Sequence, residues 1–255
     1  SSLNSNNVFP APLSAGDLIM VIQIQGASMI TPDDSTYGSI TSYGSCGNNE
    51  LCLVESVASA TSIQLACGLQ HDYSAAGKTQ VIRVPRYNTL TVNTGASIIA
   101  PSWNGTTGGV VAIESDSGVT ILTGGSIDVS GKGFRGGVLT ENLSSLGVLN
   151  YRGDQGGFGG PKGESITGSV TDYDSVFGRY GKGAPSNGGG GANGHNCGGG
   201  GGANAGDITQ WTGNGTPDIT NTNYVLAWNL DHPGFATSVS SGGGKGGYSF
   251  SSSNQ

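Results

Sequence analysis

Gly188-Gly189-Gly190-Gly191-Ala192-Asn193 returns almost at once as Gly199-Gly200-Gly201-Gly202-Ala203-Asn204, and how these two runs are read decides the fold. They lie in a span, 131–206, that holds 26 of the 48 glycines in 76 residues. Such a span has almost no side chains to bury, and ordering each glycine costs roughly 1–2 kcal/mol of backbone entropy. Only dense packing of backbone on backbone, or no order at all, is physically available to it. The reading adopted is a built element: polyproline-II-like rods, about three residues per turn at about 3.1 Å rise, whose backbone groups bond to neighbouring rods. The two copies are offset by eleven residues, which is not a multiple of three, so one continuous rod would show them on different faces. A turn at Asn193-Gly194-His195-Asn196 folds them instead into two short parallel-packed rods. Residues 131–137, 153–163 and 242–247 supply further rods. Each backbone bond between rods contributes only about 0.5–1.5 kcal/mol net, so many are required.

Upstream the chain changes character, with only 14 glycines in the first 130 residues. Leu18-Ile19-Met20-Val21-Ile22-Gln23-Ile24-Gln25 reads as a strand. One of its faces is wholly apolar (Leu18, Met20, Ile22, Ile24) and is expected against the core; the other turns polar at Gln23. Further strands are expected at 51–57, 62–65 and 79–84. From Tyr87 the pieces shorten: 89–92, 96–99, 110–113, 118–121 and 126–129, each bounded by Gly, Asn or Ser. Val119 to Ile127 and Ile121 to Val129 are both eight apart, with Gly124-Gly125 between. This spacing predicts a β-helix or stacked β-solenoid, with a sandwich of short hairpins as the competing arrangement. The fold class expected is all-β: a short-stranded β-solenoid or β-sandwich-like region followed by a glycine-rich polyproline-II-like rod bundle. Residues 1–130 form the β-rich region, solenoid-like from about 87, and 131–255 form the glycine-rich region packed on it, together one module of a longer protein.

Composition narrows the function classes. Charged residues are 11% of 255, less than half the usual share, and the net charge is −7. No basic stripe exists to neutralise phosphates, so nucleic acid is not the expected partner. The longest apolar run is far too short to span a bilayer. No signal peptide is present and the chain begins at Ser1, so a processed or excised form is expected. The four cysteines, Cys46, Cys52, Cys67 and Cys197, are candidate disulfide residues with three pairings open, four free thiols being the alternative. Cys46 with Cys52 would close a short loop around Gly47-Asn48-Asn49. Cys67 with Cys197 would then tie the glycine region to the amino-terminal β region. Low charge and abundant Ser, Thr and Asn fit an oxidising extracellular space.

Four segments carry a resemblance: Asp17-Leu-Ile-Met-Val-Ile-Gln-Ile-Gln-Gly-Ala, Val81-Ile-Arg-Val-Pro-Arg-Tyr, Ala100-Pro-Ser-Trp-Asn-Gly-Thr-Thr-Gly-Gly-Val and Val129-Ser-Gly-Lys-Gly-Phe-Arg-Gly-Gly. With Gly181-Lys-Gly-Ala-Pro-Ser-Asn-Gly-Gly-Gly-Gly and Gly244-Lys-Gly-Gly-Tyr-Ser-Phe-Ser-Ser-Ser, the chain resembles the glycine-rich amino-terminal module of large Bacteroidetes cell-surface proteins. Those are type IX secretion cargo and include gliding-motility adhesins. The resemblance implies a non-catalytic extracellular adhesin or appendage component at the cell surface; a self-assembling filament subunit is the structural alternative, and no cofactor is expected. Its partners are cell-surface glycans, abiotic surfaces, or identical or neighbouring subunits. The carboxy-terminal sorting domain of such proteins is lacking, which implies a fragment or another export route. The phylum's O-glycosylation pattern is met at Asp34-Ser35-Thr36 and Asp174-Ser175-Val176, making Ser35 and Ser175 candidate acceptors, with plain surface loops as the alternative.

Other chemistry is weaker. Ala76-Gly77-Lys78-Thr79 is like the end of a phosphate loop, but Asp72 stands where its first glycine is needed. Gly131-Lys132-Gly133 lacks the flanking strand and helix of a dinucleotide site. A β-helix polysaccharide-active enzyme would draw on Glu114, Asp116 and Asp128 with Lys132 and Arg135, and would need two carboxylates about 5–10 Å apart. His71, His195 and His232 are scattered, and no nucleophile carries a local signature. Calcium would use Asp33-Asp34 or Asp72, though the spaced oxygen ligands of a calcium loop are missing. Arg152-Gly153-Asp154 matches an integrin-binding tripeptide by coincidence. An ice-binding surface would need a threonine array, which only Thr89-Leu90-Thr91 begins. Trp103, Trp211 and Trp228, with Phe134, Phe158, Tyr180 and Tyr248, are candidate ligand-stacking aromatics, rod-end caps being the structural alternative.

Overall fold

The computed structural model describes residues 9, 11–34, 36–140, 151–153, 159–176, 178–192 and 199–202. Among them the chain is all-β, with twelve strands and one 3-10 turn (Asp172–Val176). In chain order the strands are β1 (Leu18–Gln23), β2 (Ser28–Met29), β3 (Ile40–Ser42), β4 (Asn49–Ser59), β5 (Ser62–Leu65), β6 (Thr79–Val84), β7 (Arg86–Tyr87), β8 (Leu90–Val92), β9 (Ser97–Ile99), β10 (Glu114–Ser115), β11 (Val119–Ile121) and β12 (Ser126–Asp128). The chain divides into two compact units, Ser1–Ile24 with Ser45–Gly133, and Gln25–Gly44 with Phe134–Gln255.

The first unit opens on an antiparallel sheet of order β5-β4-β1-β6. Central β1 is apolar on both faces, and the core forms on the face opposite the one its pattern favours. Ile19, Val21, Cys52 and Val54 are the buried cluster, lined by Leu13, Ile63, Leu65 and Tyr73. The β4–β5 hairpin explains the choice, because it brings Ile63 and Leu65 to the same side as Cys52 and Val54. Fully burying such an aliphatic side chain contributes about 1.5–3 kcal/mol. Gln23 is buried rather than solvated, its Oε1 accepting the Ser74 amide at 2.8 Å.

Beyond β6 the chain makes two passes that stack in parallel, β7 on β10, β8 on β11 and β9 on β12. Leu90 lies opposite Val119 and Ser97 opposite Ser126, so partners are 29 positions apart in both ladders. The sequence repeats at that offset: Leu90-Thr-Val-Asn-Thr-Gly-Ala-Ser-Ile-Ile over Val119-Thr-Ile-Leu-Thr-Gly-Gly-Ser-Ile-Asp. Gly95 and Gly124 occupy the same place in the repeat and both take positive φ, +72° and +75°. That backbone is costly for any residue with a Cβ. Ser97 and Ser126 share a hydroxyl hydrogen bond of 2.7 Å across the stack. The ladders are two strands deep, and no closed solenoid is formed among the described residues. The strand expected at 110–113 is instead β10, displaced to Glu114–Ser115, where Arg86 supplies a cross-strand ion pair to Glu114.

The second unit has one small antiparallel ladder, β2 with β3, and otherwise joins extended segments that belong to no strand. Their amides reach across to carbonyls of distant segments. Lys162 donates to Arg179 (2.9 Å), Gly163 to Gly189 (2.9 Å), Glu164 to Arg135 (2.9 Å), Ala192 to Gly160 (2.9 Å) and Ser186 to Gly38 (3.0 Å). The two glycine runs meet directly, Gly200 N–H donating to Gly190 O at 2.8 Å. Backbones here approach too closely for side chains. A Cβ on Gly189 would overlap the Gly200 carbonyl oxygen and stand 2.9 Å from its carbon, and one on Gly137 would overlap the Pro161 oxygen. The turn expected at 193–196 and the run at 242–247 lie outside the described residues.

Candidate functional site

The densest cluster of charged and aromatic groups among the described residues lies in the glycine-rich unit, around a lysine that sequence reasoning passed over. Lys162 is 0% exposed. Its Nζ donates to the Tyr151 carbonyl at 2.6 Å and sits 3.7 Å from the centroid of the Tyr37 ring. Burial pushes the Lys162 amine well below its ordinary pKa; the Asp33 carboxylate opposes that shift and the Arg152 guanidinium adds to it. Asp33 in turn accepts the amides of Tyr151 (2.7 Å) and Arg152 (3.0 Å), and Arg152 Nη1 donates to the Val176 carbonyl at 3.0 Å. A second buried lysine, Lys182, places its Nζ 4.5 Å from the Tyr151 ring centroid.

Glycine makes this cluster sterically feasible. A Cβ on Gly183 would lie 2.5 Å from Tyr37 Cδ1, and one on Gly178 would lie 2.6 Å from the Tyr37 hydroxyl. With glycine at both positions, backbone packs closely against the tyrosine while the Lys162 Nζ sits over its ring. Burial raises the Tyr37 hydroxyl above its ordinary pKa. Tyr173 is anchored in the same way, its hydroxyl donating to Gly168 O at 2.8 Å within reach of Gly163 O at 3.2 Å. Glu164 holds Arg135 through its amide (2.9 Å) and guanidinium (Nε 3.0 Å, Nη2 2.5 Å). Lys162, Lys182, Glu164, Tyr37 and Tyr173 are buried while Asp33 and Arg135 stay exposed at the edge, and the arrangement pins segments together. It is recognisable in sequence only as Pro161-Lys162-Gly163 and Gly181-Lys182-Gly183, lysines set between backbone-packing residues.

The residues singled out from sequence are dispersed. Trp103 is not an exposed stacking platform: it is 5% exposed, its amide bonded to Lys132 O at 2.8 Å. The loop folds over it because Gly108 has no Cβ to meet Ser102 O. Trp211, Trp228, Phe158, Tyr248, Ser35 and Cys197 lie outside the described residues. Phe134 and Tyr180 are half-buried. Ser175 is exposed in the 3-10 turn, with its hydroxyl donating to Asp172 O at 2.9 Å, and the neighbouring Asp174 carboxylate is held below its usual pKa by Arg179. Asp34 accepts the Thr36 amide and hydroxyl, which hold it low in the same way. No group of three metal-ligating side chains occurs among the described residues.

Two of the three carboxylates of the polysaccharide-enzyme reading are engaged locally. Glu114 pairs with Arg86, and Asp128 accepts the Ser130 amide at 2.8 Å; the Ser130 side chain, then that amide, keep Asp128 below its usual pKa. The three described cysteines fall in the first unit. Cys46 Sγ donates to Ile24 O at 3.1 Å, Cys52 is 3% exposed on β4, and Cys67 is exposed just past β5. Cys52 and Cys67 are both free thiols, and Cys52 is raised above its ordinary pKa by burial, then by the Glu50 charge and Cys67. No described helix is long and apolar enough to cross a membrane. Comparison with protein-family models, curated proteins and solved structures finds no match for this chain.

Proposed function

We propose that this chain is a non-catalytic, extracellular cell-surface module, part of an adhesin or appendage that mediates attachment to glycans or abiotic surfaces. The observation that carries the reading is the amide network of the glycine-rich unit, where segments far apart in sequence bond backbone to backbone with no room for a Cβ. We interpret it as a bundle of polyproline-II-like glycine rods, and the two stacked passes as the start of a solenoid. Glycine spent this way yields a stiff scaffold and leaves few side chains for chemistry. The acids nearest the short strands are engaged by Arg86 and by the Ser130 amide, which supports a structural role for them.

A second reading, a self-assembling filament subunit, draws on the second pass, where Val119, Ile121 and Ile127 are exposed on strands paired on one side only among the described residues. An open ladder edge is a template for another strand. Beads coated with the full chain test the main reading: adhesion to a glycan panel or to bare polystyrene is expected, with no release of reducing ends from any polysaccharide supplied. Sugar release, or beads that adhere to nothing, would overturn it. Fibres seen by electron microscopy of the purified chain would favour the second reading.

A further inference from the structure

The antiparallel register of β4 and β5 sets Val54 opposite Leu65, and Ala66 N–H continues the ladder by donating to Leu53 O at 2.9 Å. Continued one step further, just past the end of β5, the same register sets Cys52 opposite Cys67. Leu53 and Ala66 are a hydrogen-bonded pair, so Cys52 and Cys67 fall at the next, non-hydrogen-bonded site. There the Cα atoms of an antiparallel ladder come to about 4.5 Å, with side chains on the same face. A disulfide needs Cα atoms about 4.4–6.8 Å apart, the range that such a site provides. The Cys67 side chain is near enough to Cys52 to help raise its pKa. Their environments differ in a useful way, since Cys67 is exposed and Cys52 is packed among Ile19, Val21 and Val54.

We propose that Cys52 and Cys67 form a cross-strand disulfide that staples the β4–β5 hairpin, the exposed Cys67 reacting first with a small-molecule disulfide such as oxidised glutathione and the buried Cys52 closing the bridge. The Cys67 thiolate attacks one glutathione sulfur; the glutathione S–S bond breaks, a mixed disulfide forms and one glutathione thiol leaves. The Cys52 thiolate then attacks the Cys67 sulfur and expels the second glutathione. Two protein thiols are oxidised by two electrons, one external disulfide is reduced to two thiols, and those thiols carry away the two protons. This pairing replaces a loop closed by Cys46 with Cys52, and it leaves Cys46 and Cys197 outside the bridge.

The test treats the folded full chain with oxidised glutathione, quenches in acid, alkylates without reduction and cleaves after glutamate. Cuts after Glu50 and Glu55 separate Cys46, Cys52 and Cys67 into three peptides, so every pairing is distinguishable. The expected product is the Cys52 peptide joined to the Cys67 peptide, with a melting temperature about 5–10 °C above that of the reduced chain, as a loop of about 15 residues is closed. Cys52→Val, which keeps the core apolar, is expected to trap a stable glutathione adduct on Cys67. Cys67→Ser is expected to leave Cys52 unmodified. Joining of Cys46 to Cys52 or of Cys67 to Cys197, or full alkylation of both Cys52 and Cys67 after oxidation, would overturn the assignment.

Discussion

Replacing Gly189 by alanine is the sharpest perturbation of the glycine-rich unit. The new methyl group would overlap the Gly200 carbonyl oxygen, 2.9 Å from its carbon and 3.2 Å from the Gly201 carbonyl carbon. Both neighbours are backbone, so no side chain can swing away, and the run at 199–202 must retreat on the order of 1 Å to restore ordinary contact. A displacement of that size carries the 2.8 Å bond from Gly200 N–H to Gly190 O beyond hydrogen-bonding range and strains the 2.9 Å bond from Gly163 N–H to Gly189 O. Two backbone bonds at about 0.5–1.5 kcal/mol each, plus a buried group left unpaired, give a loss of about 2–4 kcal/mol. Gly201→Ala is the matched control, because a Cβ there meets nothing within 4 Å and its only effect is on the unfolded chain, within about 1 kcal/mol. Urea unfolding of the two variants beside the parent reads the difference directly. Equal midpoints for Gly189→Ala and the parent, or equal losses for both variants, would refute the backbone-packing argument.

Further outcomes follow from other sites. The folded-state pKa of Lys162 lies below its unfolded value near 10.5, so between those two values the unfolded chain binds more protons and stability rises with pH. Lys162→Met should therefore flatten the rise in urea midpoint as the pH climbs toward 10.5, with Gly183 N–H still bonded to Tyr151 O. A parent chain whose midpoint changes with pH no differently from the variant would count against a buried, destabilised ammonium. Trp103→Ala should cost about 3–5 kcal/mol by thermal melting, as for a core aromatic, whereas a solvated stacking residue would cost almost nothing. Gly124→Ala should lose about 1–2 kcal/mol by the same measurement through its +75° φ; an unchanged melting temperature would contradict the turn assigned to the second pass.

Strand positions in the first unit were legible because β-branched and aliphatic residues cluster between Gly, Asn and Ser, and the pieces at 18–23, 62–65 and 79–84 stand where the pattern puts them. The core face of β1 was not, because Ile19 and Val21 are as apolar as Leu18 and Met20, and only the β4–β5 hairpin decides between the faces. Attention to the eight-residue spacing within one pass hid the 29-residue repeat between passes, although Thr94-Gly95 and Thr123-Gly124 mark it in the sequence. Trp103 beside Gly105 and Gly108 looks like a loop-tip residue; a glycine that permits the backbone to fold over a ring gives the same local pattern as one that leaves it exposed. The lysine–tyrosine cluster was illegible for a related reason. Lysine is rarely buried, and the ring over Lys162 comes from Tyr37, far from it in sequence, with the Tyr151 carbonyl eleven positions away.

Hydrogen exchange of individual amides is the most direct measure of whether bare backbone holds this unit rigid. The amides of Lys162, Gly163, Glu164, Ala192 and Gly200, each bonded to a carbonyl in a distant segment, should exchange at least about a thousand-fold more slowly than in the denatured chain. Exchange of those five amides at the denatured-chain rate would contradict the account.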